Sequence, residues 1–200
     1  MPTLISSLRS WYPLAVLTVI GAAVPWSTSS SDVAPCPRAF PDAWIGHWKG
    51  TGTVRSMRKR GEPLEFAMEL RVAPIESGGE HAKPRWTWEI VYGTGQKRQV
   101  RRYELVAQDA AAGHYVIDEK NSILIDAWRV DDKKGTGLRS RFRVGKNQID
   151  SVYRLVGDRL EVELVTYGTE PKQSSGGEAS VPEVDSYGLR AVQTASMRRR

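Results

Sequence analysis

The sequence predicts an all-β domain: an antiparallel up-and-down meander closed into a barrel of about eight to ten strands. Three observations carry this. From residue 42 onward, apolar and polar residues alternate in short runs, the period-2 pattern of strands buried on one face and wet on the other. Gly, Asn, Asp and Pro break those runs at intervals of roughly ten residues, which is turn chemistry. No stretch carries the apolar spacing of an amphipathic helix. An open one-sided meander would expose two strand edges, and closure removes both. A β-sandwich would bury the same alternating faces and is the alternative architecture.

The chain has 200 residues, room for one domain once its N-terminal segments are set aside. Arg9 is the only charge before Asp32, and it precedes the apolar run Leu14–Val24. That run is short for a bilayer span and is followed by small residues, so residues 1–26 are expected to be a secretory signal peptide. Export to the periplasm or the exterior follows, with no integral membrane span after processing. The alternative is an uncleaved membrane tether, with Trp11 and Trp26 as interfacial aromatics. Residues 27–41, rich in Ser and Pro, read as a flexible linker, and the barrel domain as 42–200. Cys36, between two prolines, is the only cysteine. No internal disulfide can form, and stability must come from packing.

Within the domain, Leu64, Phe66, Met68, Leu70 and Val72 alternate with Glu65, Ala67, Glu69 and Arg71. Trp86, Trp88, Ile90 and Tyr92 share a face opposite Thr87 and Glu89. The strands around Tyr103 and Leu124 are ambiguous in phase. Leu138, Ser140, Phe142 and Val144 then oppose Arg139, Arg141 and Arg143. Ile149, Ser151, Tyr153 and Leu155 repeat the device, as do Leu160, Val162 and Leu164 against Glu161 and Glu163. Glu119–Ser122, Gly145–Asn147 and Val156–Arg159 supply hairpin turns. Residues 73–84 and 168–186 read as long loops, disordered or lying over a barrel mouth.

The domain opens with Gly46-His47-Trp48, and the last apparent strand ends at Arg198 and Arg199. A Gly-x-Trp on the first strand, with an arginine from the last strand available to cover the indole, resembles the closure of lipocalins and related calycins. The resemblance implies a lipocalin-like barrel closed by Gly46, Trp48 and Arg198 or Arg199 through cation–π packing. The Thr-Asp-Tyr motif of many lipocalins has no counterpart here. The block Gly113–Trp128 is also similar to segments of uncharacterised exported bacterial proteins of this size, a resemblance that implies no activity.

Chemistry-bearing patterns are sparse. His47, His81 and His114 lack a His or Cys partner at metal-ligand spacing, so no metal site is expected. His114 and Asp118 share a strand face but stand roughly 13 Å apart along it, too far for a dyad. Most carboxylates alternate with apolar residues, as on a solvated outer face. No phosphate loop, serine elbow or metalloprotease helix is present, and no cofactor is expected. An enzyme of unknown type ranks last among the functional readings, and no residue is assigned a catalytic role.

The net charge of +6 is gathered in residues 55–60, 97–102, 133–143 and 198–200. Such a surface favours an anionic partner, an envelope surface before nucleic acid, which is not expected outside the cytoplasm. The inward faces are more informative. Trp86, Trp88, Tyr92, Phe142 and Tyr153, with Ser151 and Gln193 as polar groups, would line an apolar lumen with a few orienting donors. The expected function is therefore lumenal binding of a small apolar or amphipathic molecule. The alternative is a filled barrel that acts through its basic outer strands.

Overall fold

A computed structural model of the protein describes residues 39–200 apart from 60, 77, 80 and 81. The expected signal peptide, most of the expected linker with Cys36, and His81 lie outside the described residues. The strands are β1 (Gly46–Ser56), β2 (Leu64–Val72), β3 (Pro74–Ile75), β4 (Arg85–Tyr92), β5 (Gln99–Asp109) and β6 (His114–Asp118). They continue as β7 (Leu124–Asp132), β8 (Gly135–Val144), β9 (Asn147–Val156), β10 (Arg159–Ser175) and β11 (Val184–Arg199).

Strands pair antiparallel with their neighbours in sequence, and β1 pairs with β11, Trp48 opposite Arg199 through Ser56 opposite Ala191. Two-residue β3 continues β2 along the same edge of β4, so ten strands form the closed ring. One continuous ring, rather than two stacked sheets, disposes of the sandwich alternative. The turns after β1, β4, β6, β8 and β10 gather at one end, here called the open end, and the remaining turns lie at the closed end.

Directly paired residues point to the same side of a sheet, so the registers trace which side chains face inward. Toward the closed end these are Trp48, Leu70, Trp88, Tyr115, Leu138, Leu160 and Met197, none more than 2% exposed. Burial of each such side chain stabilises the fold by roughly 1.5–3 kcal/mol. A 3-10 turn, Asp42–Trp44, caps this end. Its Trp44 stacks on Trp88 at 6.0 Å, and Phe40 packs edge-on against both Trp44 and Tyr115 at 4.9 Å. Phe40 and Pro41, expected in the linker, are therefore part of the packed domain, because Phe40 fills the space between the turn and β6.

The segment expected as a long loop over 168–186 is mostly strand. β10 runs on to Ser175 and β11 starts at Val184, paired with irregular steps near Tyr167, Pro171 and Gln173. Its polar composition reflects a two-stranded ribbon with both faces in solvent rather than a lack of structure.

Candidate functional site

The barrel interior divides into a packed floor and an accessible cup. Toward the open end, Val54, Phe66, Tyr92, Tyr103, Phe142, Leu164 and Gln193 all face inward by register, yet each keeps partial solvent access. Gly52 lies opposite Phe66, and a Cβ there would come within 2.5 Å of the Phe66 ring. A side chain at that position would take space from the cup. Phe66 and Tyr92 meet at 5.9 Å across β2 and β4.

Of the lumen residues expected from sequence, Tyr92, Phe142 and Gln193 line this cup. Trp88 and Tyr153 form its floor, in an edge-to-face contact at 5.1 Å, and are 0% and 5% exposed. Trp86 faces inward nearer the closed end, opposite Leu105, and packs against the core. Ser151 is buried and bonded to Ser140, Oγ to Oγ at 2.7 Å, so its hydroxyl already has a partner. The indole N–H of Trp88 is buried without a hydrogen-bond partner, and the Gln193 amide lies against the Tyr92 hydroxyl.

Sequence reasoning missed Arg101 and Tyr103. Because Ile90 pairs with Arg101 and Trp88 with Tyr103, both β5 side chains turn inward beside the aromatic face of β4. The Arg101 guanidinium lies 5.5 Å from the Tyr92 ring centroid, remains exposed at the mouth, and hydrogen-bonds to the Tyr103 hydroxyl. Burial pushes the phenols of Tyr92, Tyr103 and, most strongly, Tyr153 above their usual range; the Arg101 charge opposes this at all three. They stay protonated at neutral pH and can donate hydrogen bonds.

The closure is built from Gly46, Trp48 and Arg199. The Arg199 guanidinium covers the Trp48 ring at 4.7 Å and donates to the Ala43 carbonyl at 2.6 Å. Trp48 Nε1 donates to the Trp44 carbonyl at 2.8 Å, joining the strand to the capping turn. Gly46 has φ +143°, and a Cβ there would stand 3.4 Å from the Arg199 stem. Arg198 does not take part in the stacking: strand alternation turns it outward, where it pairs with Asp158 at 3.1 Å.

Other polar constellations lie on the outer wall. His114 meets Asp126 at 2.6 Å and stacks on Trp128 at 4.3 Å. Asp126 comes from the neighbouring strand β7, so this dyad is formed across strands and leaves no spacing signal along either one. Among the described residues, no hydrogen bond joins His114 to a hydroxyl or thiol nucleophile. His47 and Lys49 both contact Glu69 at 2.8 Å. A shallow outer groove of 910 Å³ mixes Lys133, Lys134 and Arg139 with Asp132, Glu161 and Glu163, and so has no single charge preference. No group of three or more metal-ligating side chains occurs among the described residues.

No protein-family model and no curated protein matches the chain. Among solved structures, the S-type phycobiliprotein lyase from Guillardia theta superposes with a TM-score of 0.52, over 78% of this chain and 88% of that one, at 7% identity. At that identity the likeness concerns the fold alone, a closed antiparallel β-barrel of the lipocalin-like kind.

Proposed function

We propose that the protein is an exported binding protein that takes a small apolar or amphipathic molecule into the open half of its barrel. One observation carries this reading. The inward side chains toward the closed end are packed to near-zero exposure, whereas the aromatic and aliphatic ones toward the open end face inward and remain accessible. Phe66, Tyr92, Tyr103, Phe142 and Leu164 pack against the buried core below them and form the wall of the open half. A concave apolar wall with few convergent polar groups is the usual chemistry of a small-molecule site. The unpartnered indole N–H of Trp88 supplies a donor at the floor. Export rests on the leader pattern of residues 1–26.

The test is a fluorescence titration of the protein with N-phenyl-1-naphthylamine, a neutral apolar dye that brightens out of water. Saturable enhancement with one site per chain is expected, together with its loss in Ala191→Trp, which places an indole on the inward face near the mouth. Absence of saturable enhancement, or equal enhancement in that variant, would overturn the reading.

A further inference from the structure

Resting on that reading, we propose that the cup selects molecules with an anionic head, a carboxylate or a phosphate, held at the mouth by Arg101 with the apolar part directed toward Trp88. Arg101 is an arginine on the inward face of a barrel strand, opposite Ile90. Its guanidinium rests over the Tyr92 ring, a geometry that fixes its direction without neutralising its charge. Among the described residues, no carboxylate forms an ion pair with it. Glu119 acts on its charge without an ion-pair contact and is linked to it through Tyr103, whose hydroxyl accepts from Arg101 and donates to Glu119.

The surroundings favour the same ligand class. Arg190, on β11, directs its donors to neutral acceptors, the Lys146 carbonyl at 2.6 Å and Asn147 Oδ1 at 2.7 Å, so its charge also remains uncompensated. The described residues of the open-end turns carry Arg58, Lys59, Lys97, Arg98, Lys120 and Lys146 against Glu62, Glu119, Glu178 and Glu183. A net excess of positive charge around a concave entrance raises the local concentration of anions. Planar guanidinium donors match carboxylate and phosphate oxygens, and the protonated phenol of Tyr92 adds a neutral donor. With Arg101 at the mouth and an aromatic floor at Trp88 and Tyr153, an amphiphile is oriented with its head toward solvent.

Competition with the bound dye tests this, using dodecanoate, dodecyl phosphate and dodecanol below their micelle concentrations. The two anions should displace the dye at concentrations about 10- to 100-fold lower than the alcohol, the span of one charge-assisted hydrogen-bonded contact. The stronger anion identifies whether carboxylate or phosphate is preferred. With each competition referred to the dye affinity measured for the same variant, Arg101→Gln should lose the anion preference, and Arg101→Lys should keep part of it. If the dye binds but the alcohol competes as well as the anions, or the preference survives Arg101→Gln, the head-group assignment fails while the cup stands. If no dye binds, both fail.

Discussion

The guanidinium of Arg199, the next-to-last residue, lies 4.7 Å from the centroid of the Trp48 ring near the start of the first strand. This contact, with the Arg199 donation to the Ala43 carbonyl, joins the two ends of the meander and the capping turn. Arg199→Ala should destabilise the protein by about 1–3 kcal/mol, from a cation–π contact and one charged hydrogen bond. Arg198→Ala, which removes only an exposed pair with Asp158, should change stability by less than about 1 kcal/mol. Urea denaturation of the two variants checks this; equal losses would show that the stacking does not close the barrel.

Ser140 and Ser151 satisfy each other inside the barrel at 2.7 Å. Replacing one leaves a buried hydroxyl without its partner, whereas replacing both removes the need. Ser151→Ala should cost about 1–2 kcal/mol, and the double variant Ser140→Ala with Ser151→Ala should recover most of it. A double-mutant cycle reads the coupling directly.

On the outer wall, burial by itself would raise the Glu69 carboxyl, but hydrogen bonds and charge from Lys49 and His47 outweigh it and bring the value to about 2, from the usual 4.5. A depressed folded-state value means that this stabilisation is fully present above about pH 4.5 and is lost as pH falls toward 2. The wild type should therefore be more stable than Glu69→Gln at pH 7, and the difference should close between pH 4.5 and 2. Denaturant midpoints for both proteins across that range test the sign; a gap that widens on acidification contradicts it.

The sequence made the architecture legible because most strands bury one face. The alternation in β2, β8 and β10 translates directly into inward and outward rows, and the turns at Gly145 and Gly157 stand where expected. The phase of β5 was not legible, for a physical reason. Val106 and Val116 pair on the outward side yet are only 5% and 7% exposed, while the inward row of β5 begins with Gln99 and Arg101, so polar and apolar residues fall on both faces. With no clean alternation to set the phase, Arg101 reads as part of a basic surface cluster. Carrying the inward row of Trp88 and Ile90 across the turn at Gly93 would have placed Tyr103 and Arg101 beside them. Phe40 was misplaced for a related reason: a single aromatic after a Pro-rich run has no periodicity to mark it as core.

The central claim is that the open half of the barrel holds one small molecule, and native mass spectrometry tests it most directly. The protein purified from its own source is compared with its denatured mass, then measured again after incubation with dodecanoate. The account predicts one non-covalent adduct per chain that disappears on denaturation and is absent in Ala191→Trp. A native mass equal to the denatured mass in both preparations would contradict it and leave a closed barrel whose activity lies on its outer surface.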